Sequence, residues 1–279
     1  YQPGILPNNT IRSIAEDHQD NLWLGTRNGL VRMNKRTGKF KTFFLPDESQ
    51  RIIYTLFVSK DGTLWIGTDG GLSYFNSKTE TFYTYNNKNA WLIDENGSRK
   101  KMPGYSVKAI IEDRNGDLLI GTWSAGLMRF RRGGNTFYSY PRLNTTNSAY
   151  SLFLDKHNHL WVGTWGYGVV RLDNTGNVRQ PEMHQYPYST NHFDTFYKIV
   201  HDPVTKTLWA CTREGVCYLE EDMPNAEWKG YTSIGNNPLN FNNDIATDGK
   251  GNIWLCTQNN GILQVNTQPS LFKLWNLDT

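Results

Sequence analysis

Asp17-His18-Gln19-Asp20-Asn21-Leu22-Trp23-Leu24-Gly25-Thr26-Arg27-Asn28-Gly29-Leu30 decides the fold, because the phrase keeps coming back along the chain. It returns as GTLWIGTDGGL around Trp65, GDLLIGTWSAGL around Leu119, NHLWVGTWGYGV around Trp161, KTLWACTREGV around Trp209 and GNIWLCTQNNGI around Trp254. The steps between these central residues are 42, 54, 42, 48 and 45. Self-similarity at that period means stacked supersecondary units, and a four-stranded propeller blade is the unit that fits.

The first copy reads as four short strands, a to d. Ile11 to Asp17 mixes apolar and polar residues as a strand does, and His18 to Asn21 is a polar turn. Leu22 to Thr26 is short and mostly apolar, as expected of a strand packed on both faces. Arg27-Asn28-Gly29 turns the chain into Leu30 to Met33, and residues 34–38 turn it again into Lys39 to Phe44. Later d strands read FYTY (82–85), FYSY (137–140), MHQY (183–186), EWKGY (227–231) and LFKLW (271–275). No stretch keeps a helical period. The sequence predicts an all-β chain, a β-propeller of four-stranded blades with six visible.

The repeated residues read as scaffold. A strand-b Trp offers a large face to the neighbouring blade, and the Gly two residues later lets that neighbour come close. The Gly of the b–c turn supplies a positive φ. Asp before the a–b turn accepts hydrogen bonds from backbone N–H groups ahead of it. Trp23, Trp65, Trp161, Trp209 and Trp254 are therefore expected to be buried at equivalent places. Leu119 replaces the Trp in blade 3, Ser59 the Asp in blade 2, and Cys211 and Cys256 the Gly in blades 5 and 6.

The 279 residues fit one propeller domain, 1–279, cut from a longer protein. With 29 basic against 26 acidic residues the charge is too balanced to imply nucleic acid. No apolar run is long enough to span a membrane. Cys211 and Cys217 flank a b–c turn and could face each other across the ladder, though a bridge there would be awkward. Neither a metal nor any other cofactor is expected, since no His or Cys pair shows ligand spacing.

The phrase I-x-x-I-x-x-D-x-x-G-x-L-W-I-G-T-x-x-G-L resembles the repeat of the two-component regulator propeller family, most closely in blades 1 to 4. The resemblance covers Ile11 to about Trp275. It implies the periplasmic sensor region of a hybrid histidine kinase, with the parent protein in the inner membrane. It also implies a breakdown product of a complex polysaccharide as ligand, signal transmission to a kinase core, and a homodimer in the full-length protein. Rings of that family usually have seven blades, so the chain either closes as six or has a blade outside these boundaries. Contact with a membrane would come only through segments not in this sequence.

Topology puts the d–a connections and b–c turns on one face, and that face carries the unusual residues. Trp123 and Trp165-Gly166-Tyr167 lie in adjacent b–c turns, with Arg213 in the equivalent first place in blade 5. The 86–106 insertion adds Trp91, Asp94, Glu95, Arg99, Lys100, Lys101 and Tyr105 as a long d–a loop, and the 187–194 loop adds His192. Flat rings with a few polar groups suit stacking on sugars. The expected ligand-binding residues are Trp123, Trp165, Tyr167, Trp91, Tyr105, His192 and Arg213, near the mouth of the central channel. The plainer alternative is that these aromatics pack the loops down, and that the basic run 99–101 is a solvated loop tip.

Two other functions stay open. One is an enzyme resembling the virginiamycin B lyases, whose repeats carry a similar Asp-turn-Gly-x-Trp phrase. The other is a structural propeller used for dimerisation. A lyase needs a general base beside its substrate. His18, His157 and His159 fall in a–b turns, and His184 and His201 in strands, leaving His192 alone on the candidate face. No catalytic residue is assigned. Asp94, Glu95, Asp194 and Asp244 keep the enzyme reading alive.

Overall fold

The computed structural model describes residues 6–143, 147–186, 194–220, 226–234, 237–239, 242–257 and 261–267. Apart from one 3-10 turn at Glu48–Gln50, their regular structure is all β-strand. They fall into two compact units. One holds Tyr1–Leu143, Asn147–Ala149 and Asn177–Gln180, and the other holds Asn144–Thr146, Tyr150–Gly176 and Pro181–Thr279.

Blade 1 is Ile11–Glu16, Asn21–Thr26, Gly29–Asn34 and Phe40–Phe43, side by side in chain order. Blade 2 is Ile53–Val58, Leu64–Thr68, Gly71–Asn76 and Thr81–Thr84. Blade 3 is Val107–Glu112, Leu118–Thr122, Leu127–Phe130 and Thr136–Ser139, with two extra strands at its outer edge. In the second unit, blade 4 is Ala149–Leu154, Leu160–Thr164, Val169–Asp173 and Glu182–Tyr186. Blade 5 is Phe196–Asp202, Thr207–Thr212, Val216–Glu220 and Lys229–Tyr231. Blade 6 shows Asn242–Thr247, Asn252–Thr257 and Ile262–Asn266. Its expected strand d, 271–275, lies outside the described residues. The antiparallel meander repeated this way is that of a β-propeller, and the strands fall where the repeat places them.

Within a unit each strand-b tryptophan packs on the following blade. Trp23 meets Phe75 of blade 2 at 5.1 Å between ring centroids, and Trp65 meets Phe130 of blade 3 at 5.9 Å. Trp161 lies with Phe196 and Ile199 of blade 5, and Trp209 with Ile245 and Leu255 of blade 6. All four are buried. Trp254 is not: it is 36% exposed, which corrects the expectation of uniform burial. It is the last of the series, and among the described residues no following blade of its own unit covers it. The same end effect leaves Ile14 of blade 1 61% exposed, where its counterparts Leu56 and Ile110 are buried by a preceding blade.

The aspartate does more than make a turn. Asp17 Oδ1 accepts the backbone N–H groups of Gln19 and Asn21, while Oδ2 accepts the Trp23 indole N–H at 2.7 Å. Asp155 repeats this with His157, His159 and Trp161. Burial raises the Asp17 carboxyl, but the hydrogen bonds from Asn21, Trp23 and Gln19 outweigh it and hold the group below the usual carboxylate range. Where the repeat departs, the indole finds another acceptor. Trp65 donates to Ser59 Oγ at 3.1 Å, and Ser59 in turn donates to Asp61. Trp209 donates to Thr207 Oγ1 at 2.8 Å.

Blade 3 has no indole to offer, and a guanidinium takes its place. Arg129 stands directly across the ladder from Leu119. It donates to Asp113 Oδ2 at 2.6 Å and to Asp117 Oδ2 at 2.8 Å, buried with Asp113. The hydroxyl of Tyr140, in the same buried region, is pushed up to about 12, chiefly by burial.

The glycine after the tryptophan is required by the next blade. A Cβ on Gly25 would stand 2.6 Å from Ile53 Cγ2, and one on Gly67 would stand 2.7 Å from Val107 Cγ1. Cysteine is accommodated at the same place in blade 5, where Cys211 is fully buried among Ile245 and Leu255. The register pairs Cys211 with Val216 and Ala210 with Cys217. The two cysteines therefore project from opposite faces of the sheet, Cys217 into the blade 4–5 core. All three thiols are free, and burial pushes the Cys211 and Cys217 thiols up.

The 86–106 insertion is not a loop. Trp91–Ile93 and Arg99–Lys101 form a hairpin, and Trp91–Ile93 pairs in parallel with Thr136–Ser139, making blade 3 a six-stranded sheet. Ala90, Leu92 and Met102 are buried beneath it. Alternating apolar residues pin the hairpin down, and the basic run 99–101 becomes its outer strand in place of the expected loop tip.

Trp161→Ala is expected to cost about 3–5 kcal/mol, as large-to-small core changes do. Trp254→Ala, at a half-covered site, is expected to cost much less. Chemical denaturation of both variants checks the contrast, and equal losses would contradict the packing order.

Candidate functional site

The b–c turns and the d–a connections meet at one end of each blade, tied by backbone hydrogen bonds. Gly29 N–H donates to Arg51 O, Trp123 N–H to Ser106 O and Gly168 N–H to Asp194 O. Strand a begins at this end with a bulge. In blade 1 Ile11 pairs with Thr26 and Ser13 with Gly25, leaving Arg12 outside the ladder. The same shift releases Tyr54, Lys108 and Tyr197 in blades 2, 3 and 5. A bulge re-aims a side chain without ending the strand. In these four blades one strand-a position thereby leaves the ladder near the loops.

In the first unit these freed residues form a compact polar cluster. Lys108 Nζ lies 3.0 Å from the centroid of the Tyr54 ring and 3.9 Å from Asp69 Oδ1. The Arg12 guanidinium is 5.0 Å from the same ring. Asp69, in the b–c turn of blade 2, accepts Tyr54 OH at 2.9 Å and Ser106 Oγ at 2.7 Å. Burial lowers the Lys108 ammonium to about 8; Asp69 opposes the shift and Arg12 adds to it. Two cations against one tyrosine ring, beside a single carboxylate, make a site of net positive charge with an aromatic centre.

The second unit gathers rings at its own loop end. Trp165 lies 5.5 Å from Tyr150 and 6.2 Å from Tyr197, and the two tyrosines are 5.9 Å apart. All three are partly exposed. Burial raises the Tyr197 hydroxyl, and Tyr150 adds to the rise. Arg213, in the neighbouring b–c turn, pairs with Glu214 at 2.5 Å. Lys198 reaches Asp244 at 2.6 Å.

The expected ligand residues are distributed as follows. Trp123, 38% exposed, belongs to the first unit; Trp165 and Tyr167, the latter 46% exposed, belong to the second. Trp91 lies in the inserted hairpin, its ring covered by Arg99 at 4.2 Å and Lys101 at 3.9 Å. Tyr105 packs against the core of blades 2 and 3. His192 lies outside the described residues. The strand-a residues Arg12, Tyr54, Lys108, Tyr150 and Tyr197 escaped the sequence reading. Their signal was available: each is the second residue of strand a, and the repeat leaves that column free to vary.

Residues 5–28, 47–70, 101–124 and 145–166 match the family described as two-component regulator propeller. The protein is a β-propeller, and its first four blades carry two-component regulator propeller repeats. Among solved structures, the extracellular domain of a hybrid two-component system protein from B. thetaiotaomicron matches with a TM-score of 0.75 and 18% identity, over 98% of this chain and 36% of its own length. The chain thus spans about a third of that domain. Virginiamycin B lyase from Staphylococcus aureus matches with a TM-score of 0.67 and 16% identity, over 96% of this chain and 89% of its own. PorZ of Porphyromonas gingivalis, a surface component of the type-IX secretion system, matches with 0.70 and 15%, over 95% and 41%. At these identities the likeness establishes the fold alone. No curated protein matches the chain significantly. Among the described residues no helix is long and apolar enough to cross a membrane.

The Lys108 geometry has a pH consequence. Its folded pKa, about 8, is below the ordinary 10.5, so between those values the unfolded chain holds more protons. Stability contributed by the neutral amine therefore grows as pH rises through that window. Lys108→Met should melt above the wild type at pH 7, with the gap closing steadily toward pH 10.5. Thermal melts across that range decide it, and a gap independent of pH would refute the buried-amine reading.

Proposed function

We propose that this propeller is the non-enzymatic, ligand-binding sensor region of a two-component regulator, exposed to the periplasm. Its ligand is an oligosaccharide released from a larger polysaccharide. The observation that carries this reading is the aromatic trio of Tyr150, Trp165 and Tyr197, held half-exposed at the loop end by a bulge and a b–c turn. None of the three is a repeat-packing position, so the blade scaffold does not call for a cluster of rings there. Flat, partly exposed rings flanked by Arg213 and Tyr167 offer stacking faces and hydrogen-bond partners to a sugar. Trp123 offers the same in the first unit, beside the basic cluster of Arg12 and Lys108.

A sensor needs only differential affinity for its ligand, and the proposal extends to a parent protein in the inner membrane, a downstream histidine kinase and a homodimeric assembly. The lyase alternative requires a general base among the loops. The described histidines stand in a–b turns or in strands, away from this end.

Trp165→Ala should weaken binding of an oligosaccharide by about tenfold or more, on the scale of one lost aromatic contact, with only a small change in melting temperature. Calorimetric titration against neutral and acidic oligosaccharides is the measurement. Unchanged affinity in the variant, or turnover of the sugar by the wild type, would overturn the proposal.

A further inference from the structure

Three side chains at the far end of blade 4 form a donor set that the repeat does not require. Asp173 ends strand c, and Glu182 and His184 lie on strand d, paired in register as Asp173 with Glu182 and Arg171 with His184. One donor atom from each lies within 4.8 Å of the other two. His184 Nε2 is 3.1 Å from Asp173 Oδ2 and 3.4 Å from Glu182 Oε1. Donors bound to one zinc ion at about 2.0–2.1 Å in a tetrahedron would stand roughly 3.3–3.4 Å apart, close to the two distances that His184 makes.

A second observation points the same way. His184 Nε2 is shut off from solvent and makes no hydrogen bond, although two carboxylates crowd it. An imidazole nitrogen held that way is satisfied by a cation between it and the carboxylates. Arg171 grips Asp173 through Nε and Nη2, both at 3.0 Å, and fixes the carboxylate in place. Outer hydrogen bonds of this kind orient metal-bound carboxylates. His159 stands nearby, its Nε2 3.8 Å from Asp173 Oδ1 and its Nδ1 2.9 Å from Asp155 Oδ2. Donation from Nδ1 to Asp155 leaves the Nε2 lone pair free to coordinate.

Repeat packing does not explain the cluster. The places of Asp173, Glu182 and His184 are taken by Asn34, Lys39 and Lys41 in blade 1, and by Asn76, Thr81 and Tyr83 in blade 2. In blade 5 Lys229 stands across from Tyr218, where blade 4 has His184 across from Arg171. Of these four blades, blade 4 alone unites an imidazole with two carboxylates.

We propose that Asp173, Glu182 and His184 bind one divalent transition-metal ion, zinc in the first instance, with His159 within reach as a fourth donor. An imidazole among carboxylates favours such an ion over calcium or magnesium. The ion clamps the two ends of the 174–181 loop. Untagged, metal-stripped protein is titrated with zinc by calorimetry, and with cobalt(II) by its visible ligand-field absorption. One saturable site is expected, lost in His184→Ala and unchanged in His157→Ala, a histidine outside the donor set. Glu182→Gln, at a side chain 70% exposed, carries the test should the histidine variant fold poorly, and should weaken binding at least tenfold. Absence of saturable binding, or affinity unaltered by either substitution, would overturn the proposal.

Discussion

Everything in this structure depends on how the strand-b tryptophan is held. In blades 1, 2, 4 and 5 its indole N–H is fixed by an acceptor at or beside the a–b turn of its own blade, and its ring lies on the next blade. A buried indole without an acceptor would forfeit much of what its burial contributes. The aspartate ties the turn to the ring, so local turn chemistry and blade-to-blade packing are one arrangement. The substitutions obey the same constraint. Ser59 presents a hydroxyl where Asp17 presents a carboxylate, Thr207 offers one from the start of strand b, and Arg129 supplies a donor to Asp113 where Leu119 cannot. In blade 3 the acceptor is kept and the donor is replaced, which makes a buried ion pair where blades 1 and 4 have an indole hydrogen bond to a carboxylate.

The period of the tryptophan phrase made the blades legible, and the strands fall within a residue or two of where it puts them. What the repeat could not show is what depends on neighbours. Trp254 holds the same place in the repeat as Trp161, yet it is exposed because burial comes from the following blade and not from its own strand. The insertion looked like a loop because its strands are three residues each, too short to show a period, and because its partner lies a whole blade further on. Cys211 and Cys217 looked opposed across the turn, but a shift of one residue in register sends them to opposite faces.

The loop end was legible in part. Trp165 stood out because nothing in the repeat asks for an aromatic there. Its companions Tyr150 and Tyr197 did not, since a residue on a strand reads as packing until its place at the loop end is seen. The polar cluster of Arg12, Tyr54 and Lys108 was hidden for the same reason. Of blades 1 to 5, the first three turn cations and one tyrosine outward at this column, and blades 4 and 5 turn out tyrosines. A bulge at a fixed place lets each blade vary one side chain at no cost to its core. The donor set on blade 4 was invisible to spacing rules, because cross-strand register, not chain interval, brings Asp173 to His184.

The inserted hairpin of blade 3 bears on the order in which this chain can assemble. Most of its strand pairs join neighbours in sequence and form as soon as both strands exist. Trp91–Ile93 instead pairs in parallel with Thr136–Ser139, a strand made only after the other three of its blade. A lone two-stranded hairpin is marginal in water, so this one has little reason to persist until its partner arrives. Closing that longer loop must be paid in chain entropy before the contacts of Leu92 and Met102 return it. Docking of the hairpin is thus among the last steps in the folding of blade 3, and until then its apolar face is open to other chains.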